Sequence, residues 1–215
     1  MPRGPSSAHS LQRDTILNIS AEAFAELGYP SATMAQLAQR CGVSKSLLYH
    51  YYASKDAILY DLLHAYMSRL QSLVIEVASR DLPAREALAE TIRRFVREYE
   101  SSRSRHIVLL NDVKYLPPTE RETVIALERS VVQAFADLIS STYQIDEGRA
   151  KVLTMSVFGI VNWTFTWLKP GGTLTYSQYA EAVVGILEGG LNGGAARMQH
   201  IPLKKPKTAS GKHHV

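Results

Sequence analysis

The chain has 215 residues, 46% hydrophobic and 20% charged, with 24 basic against 20 acidic side chains and a formal net charge of +4. That length allows one large or two small domains around a buried core, and a single cysteine excludes an internal disulfide framework or a cysteine-rich zinc site. The charge alone identifies no partner: Arg197, Lys204, Lys205, Lys207 and Lys212 lie after Ala195 with no acid among them, and without these five the remaining 19 basic residues face 20 acids, a net of −1.

The N-terminal Met-Pro-Arg-Gly-Pro-Ser-Ser lacks the apolar run of a signal peptide, so a cytoplasmic location is expected. Two apolar-periodic segments follow, Met34, Leu37, Ala38 and Cys41, then Leu48, Tyr49 and Tyr52, on either side of Gly42. A tight turn between crossed helices needs a residue that tolerates positive φ, which glycine does at no steric cost. Ser44 is the natural N-cap of the second helix. This is the shape of a helix-turn-helix that docks in DNA. Lys45, Ser46 and Leu47 fall at the N-terminal end of the recognition helix, where side chains reach base edges; they suit guanine, either base, and a thymine methyl respectively. Tyr49, His50 and Lys55 lie further along, where they are expected to hold phosphates, and Thr33 heads the segment. The competing readings are a solvated His50 and a locally packed Leu47. Cys41 reads as a small buried hydrophobe.

Further along, Ala57 to Ala78 is a long amphipathic run. Pro83 suits the first turn of a helix carried by Leu88, Ile92, Phe95, Val96 and Tyr99 and closed near Ser101-Ser102. His106 to Tyr115 predicts a shorter helix, stopped at Leu116-Pro117-Pro118, and Thr119 to Tyr143 another long one. Asp146 caps a helix expected to run to Leu168, where Lys169-Pro170-Gly171-Gly172 ends it. From Met155 onward that helix is apolar on almost every side. It is too short to span a membrane, which takes about 20 apolar residues, so one face is expected to meet the chain's own core and another a partner subunit. Thr175 and Gln178 form a capping box for a last helix with Tyr179, Val183, Ile186, Leu187 and Leu191 as its stripe. Two such successive helices suggest a four-helix dimer interface.

The run from Gly42 to Leu59, Gly-Val-Ser-Lys-Ser-Leu-Leu-Tyr-His-Tyr-Tyr-Ala-Ser-Lys-Asp-Ala-Ile-Leu, resembles the DNA-binding signature of the TetR family of transcriptional regulators almost position for position. Upstream, Arg13, Ile16, Leu17, Ala21, Phe24, Gly28 and Tyr29 are similar to the family's first helix and its Gly-Tyr end. The resemblance implies that Tyr52 replaces a core aromatic more often phenylalanine, and that Lys55 starts the long helix joining reader to body. It also implies homodimerisation through the last two helices and a ligand cavity among the middle ones. Two recognition helices held about 34 to 36 Å apart read a palindromic double-stranded operator, and a ligand that alters the spacing releases it.

A finer similarity covers Val157 to Ala180, where Phe158-Gly159, Asn162-Trp163, Trp167 and Pro170-Gly171-Gly172 resemble a segment of the TetR branch that senses acyl-CoA thioesters. This implies a small-molecule effector of acyl-CoA type. Asn162, Trp163 and Trp167 spread over adjoining sectors of one helix, so rings and an amide are available to a ligand. Asn111, Lys114 and Tyr115 are polar residues in an otherwise apolar stretch, and Arg103 is available for phosphate. With Tyr99 and Phe158 they complete the candidate effector set. For the tryptophans core or dimer contact is the competing reading, and for the arginine plain solvation.

No phosphate loop, metal-ligand spacing or nucleophile elbow is present, so no enzyme activity, metal or cofactor is expected. The expected protein is all-α, with about nine helices: a helix-turn-helix domain over 9–54, a ligand-binding and dimerisation domain over 55–193, and a disordered basic tail over 194–215. The alternatives are a TetR-type repressor of efflux that senses a hydrophobic drug or free aromatic acid, and a helical acyl-binding or scaffold protein without DNA function.

Overall fold

The computed structural model describes residues 7–198, and every regular element among them is helical. Helix α1 (Ser7–Leu27) ends at Gly28, whose φ of 77° turns the chain into a single 3-10 turn over Tyr29–Ser31. Helix α2 (Met34–Arg40) opens on a capping box not anticipated from sequence: the Thr33 hydroxyl accepts from the Gln36 amide, and the Gln36 side chain accepts from the Thr33 amide. Gly42 then takes φ 65°, the expected left-handed turn, and α3 (Lys45–Tyr51) starts on the Ser44 cap. Ile16, Phe24, Leu37 and Leu48 are wholly buried, so the three helices close on one small core.

Helix α4 (Lys55–Ala78) carries that core into the body through Ile58, Leu59, Leu62, Leu63 and Tyr66. Around it lie α5 (Ala84–Ser101), α6 (Arg103–Asp112), a 3-10 turn over Val113–Tyr115, α7 (Pro118–Tyr143), α8 (Glu147–Asn162), α9 (Thr164–Trp167) and α10 (Tyr176–Met198). Helix α7 packs on α4 and α8, α5 on α10, and α6 back onto α1, so the body touches the reader through α6 as well as α4. The Asp146 cap and the Thr175–Gln178 box both form as expected. No helix among the described residues is long and apolar enough to cross a membrane.

Three boundaries differ from expectation. The helix expected over His106 to Tyr115 starts at Arg103 and tightens to 3-10 geometry at Val113. The helix expected to reach Leu168 breaks at Trp163, because Thr164 Oγ1 donates to the Val161 carbonyl at 2.8 Å and Arg103 Nη2 takes the Phe165 carbonyl at 2.8 Å. The result is nine helices of seven or more residues plus the single turn α9 among the described residues. Helix α10 continues to Met198, past the expected domain end at 193; the remainder of the basic tail, with His213 and His214, lies outside the described residues.

Candidate functional site

Helix α3 buries Leu48 completely and leaves Lys45, Ser46, Leu47, Tyr49 and His50 exposed. Leu47 is 40% and Tyr49 52% accessible. Apolar and aromatic surface left in water on so short a helix, next to a lysine and a histidine, is the composition of a face that meets a partner. The Ser44 hydroxyl accepts from the Leu47 amide at 3.1 Å, so it fixes the helix start. Thr33 is exposed, but its hydroxyl is engaged in the α2 capping box.

Lys55 departs from its expected role. Its ammonium donates to the carbonyls of Tyr29 (2.8 Å), Pro30 (3.3 Å) and Ala32 (2.8 Å), and lies 4.3 Å from the centre of the Tyr29 ring. An ammonium has three donors; these are spent on the turn after α1, which leaves none for a phosphate. Lys55 therefore clips the reader to α4. Two phenols reinforce the joint: Tyr29 donates to Asp56, and Tyr52 donates to Asp61, which also pairs with Arg13 at 2.8 Å. Burial and the adjacent carboxylates push both phenols up, so they remain protonated donors. Tyr52 thus does more than fill a core position: its hydroxyl ties α1, through Arg13, to α4.

In the body, part of the expected effector set converges. Tyr99 donates to Asn162 Oδ1 at 2.8 Å, and Arg103 reaches the neighbouring Phe165 carbonyl. Phe158 joins Phe95 and Phe135 in an aromatic cluster, with centroids 4.9 Å apart for Phe135–Phe158 and Phe95–Phe135. The sequence reading missed His106. Its ring is 2% exposed, stacked on Tyr99 at 3.9 Å, with Tyr66 Oη 3.3 Å from Nδ1. Burial lowers its pKa to about 4, against a small opposing pull from the Asn162 carbonyl. A histidine heading an apolar run (His106-Ile-Val-Leu-Leu) was the available signal.

The other expected members lie elsewhere. Asn111 is exposed and its amide bonds to its own helix at the Ile107 carbonyl. Lys114 lies over the Tyr115 ring, and Tyr115 stacks on Tyr29 at 5.5 Å, at the joint between reader and body. Trp163 and Trp167 are 62% and 46% exposed, Trp163 edge-on to Phe165 and Trp167 edge-on to Tyr179. Trp163 shares a face of α8 with Val152, Met155 and Gly159, all exposed.

A capped, exposed recognition helix clipped through one long helix to an all-helical body defines a helix-turn-helix regulator of transcription. Residues 16–62 match the bacterial regulatory proteins of the TetR family, and residues 81–191 match the tetracyclin repressor-like C-terminal domain. The chain belongs to the TetR family of DNA-binding transcriptional regulators. It is similar to a TetR-family transcriptional regulator from Bordetella parapertussis 12822, at 32% identity and TM-score 0.77 over 81% of this chain and 92% of that one. The HTH-type transcriptional repressor KstR2 of Rhodococcus jostii (strain RHA1) is 24% identical over 195 residues, 88% of this chain and 96% of the repressor. AibR, solved in complex with isovaleryl coenzyme A and operator DNA, shares the fold at TM-score 0.72 and 24% identity, over 81% of this chain and 97% of AibR.

Proposed function

We propose that the protein is a homodimeric repressor that reads a palindromic operator with α3 and leaves it when an acyl-CoA thioester fills the body. The observation that carries the DNA reading is the exposure of Lys45, Ser46, Leu47, Tyr49 and His50 around the single buried anchor Leu48. Lys45, Ser46 and Leu47 read base edges, and Tyr49 and His50 hold phosphates. Thr33 and Ser44 act by fixing the starts of α2 and α3.

Dimerisation through α8 and α10 is supported by their outer faces. Val152, Met155, Gly159 and Trp163 on α8 and Ala182, Gly185, Ile186 and Gly189 on α10 are all exposed in the single chain. A Cβ added at Gly159, Gly185 or Gly189 meets nothing within 4 Å of its own chain, so a second backbone has room to approach. Packing two such pairs gives a four-helix interface.

The effector class rests on the Phe158-Gly159, Asn162-Trp163 and Pro170-Gly171-Gly172 similarity and on the shared fold of AibR, whose ligand is isovaleryl coenzyme A. The ligand acts by binding the DNA-incompetent spacing more tightly than the competent one. Fluorescence anisotropy on DNA from the chain's own promoter, at fixed salt, tests this with isovaleryl-CoA and phenylacetyl-CoA against their free acids and CoA alone. Release by a thioester only is expected. Release by a free aromatic acid or an uncoupled hydrophobic compound favours a drug or acid sensor instead, and tight binding that nothing disturbs discards the acyl-CoA effector.

A further inference from the structure

At the C-terminal end of α3, where the reader meets the body, the surface opens into a cleft of about 470 Å³. Small-molecule sites measure about 300–1,000 Å³, so the cleft is large enough for one. Its walls come from both regions. Arg13 of α1 and Tyr51 and Tyr52 at the end of α3 form one side, and Tyr60 of α4 and Glu120 of α7 the other. An occupant touches reader and body at once.

Rings and charge together set the chemistry of this cleft. Three of its lining side chains are tyrosines, whose ring faces attract cations. Asp56, Asp61 and Glu120 line it against the single cation Arg13, an excess of two negative charges. Lys55, next to Asp56 in sequence, does not offset them, because its ammonium is spent on the carbonyls of Tyr29, Pro30 and Ala32. Arg13 shows how a positive charge is held here. Its guanidinium lies 5.9 Å from the centre of the Tyr52 ring, donates to the Tyr52 hydroxyl at 3.1 Å and pairs with Asp61 Oδ2 at 2.8 Å. The other lining groups repeat that combination of ring and carboxylate with no cation on it. Asp56 Oδ2, Asp61 Oδ1, both carboxylate oxygens of Glu120 and the hydroxyls of Tyr51 and Tyr60 have no hydrogen-bond partner among the described residues.

We propose that this cleft binds a small organic cation, a protonated amine on an apolar or aromatic stem. Its N–H groups donate to Glu120 and to the free oxygens of Asp56 and Asp61, and its stem lies against the rings of Tyr60 and Tyr51. A primary or secondary ammonium fits better than a quaternary one, because the free oxygens are acceptors that only an N–H donor satisfies. Ala53, Ala57 and Pro117 supply the apolar part of the lining. The site shares no residue with the candidate effector set of the body, so it stands whether or not that effector is an acyl-CoA.

The test is a ligand-observed NMR titration of the full chain, at neutral pH and fixed salt, with 2-phenylethylammonium and with its uncharged counterpart 2-phenylethanol. The two differ only in the group that carries the charge. Wild type is expected to bind the amine about tenfold more tightly than the alcohol. Glu120→Gln, which keeps the size of the side chain and removes its charge, should lower the affinity for the amine severalfold and leave that for the alcohol unchanged. Tyr60→Leu should weaken both, since it removes the ring beneath the stem. Equal affinity of wild type for amine and alcohol overturns the proposal without any variant, and so does a preference for the amine that is undiminished in Glu120→Gln. Failure of the amine to bind wild type at millimolar concentration overturns it as well, and leaves the acyl-CoA reading untouched.

Discussion

The reader and the body use their polar residues in opposite ways. In the reader, α3 buries Leu48, half-buries Tyr51 against the core and turns the rest of its side chains outward. In the body, Tyr66, Tyr99, His106 and Thr164 turn inward among phenylalanines, while the two tryptophans stay outside. A function that sits on a surface leaves the core pattern intact. One that sits inside must share its residues with the packing, and each such residue then has a structural reason to be there as well.

Leu48→Ala tests how far α3 depends on its single anchor. Removing a wholly buried leucine costs about 2–5 kcal/mol, and because α3 is short the loss falls on the reader. Operator affinity should collapse while calorimetric binding of the effector to the body persists; concerted loss of both would mean that reader and body unfold as one unit. The body has its own test in pH. His106 titrates near 4 in the fold because burial disfavours its charged form, whereas an unfolded histidine takes its proton near 6.5. The unfolded chain therefore binds more protons between about pH 6.5 and 4, and stability falls as pH drops through that window, by ~3 kcal/mol at its lower end. The denaturant midpoint of wild type should fall relative to that of His106→Phe as pH drops from about 6.5 to 4; parallel profiles would place the histidine in a more polar setting than the structure gives it.

Two lysines of the reader sharpen the contrast between surface and joint. Lys45→Ala should weaken operator binding by about 1–3 kcal/mol if the ammonium reads guanine, or lower the slope of log K against log salt by about 1 if it holds a phosphate. Lys55→Met should weaken binding with the slope unchanged, because that ammonium is spent on the carbonyls of Tyr29, Pro30 and Ala32. Anisotropy titrations from low to moderate salt separate the two, and a reduced slope for Lys55→Met would return it to the phosphates.

Why the reader was legible and the effector site only half so follows from these same residues. Gly42, Ser44 and the exposed run of α3 are local features: a left-handed turn and a cap depend on a few neighbours in sequence. The Lys55 clip is not local, since it depends on where the turn after α1 comes to lie against α4. The same holds for Trp163. Its spacing from Asn162 was correct, but a break of α8 set by Thr164 and by the distant Arg103 decides which way it faces. His106 carried only a weak local signal, because its partners, Tyr66, Tyr99 and Asn162, come from three other helices, and periodicity says only that its helix has a buried side.

The smallest expected effect concerns the link between the two regions. Tyr115 belongs to the body yet stacks on Tyr29 of the reader, 25° from parallel, and Tyr29 is in turn held by Asp56 and Lys55. A shift of the 3-10 turn over Val113–Tyr115 therefore pushes directly on the turn that orients α2 and α3. An aromatic pair of this kind is worth about 0.5–1.5 kcal/mol, so Tyr115→Ala should leave effector affinity for the free protein unchanged and lower the ratio of operator affinities without and with effector by a few fold. The coupling must be equal when read from either site, so measuring effector affinity with and without operator checks the same number independently. If that ratio is untouched, the signal crosses instead where α6 packs on α1, and the Arg105–Asn18 hydrogen bond of 2.6 Å becomes the contact to cut.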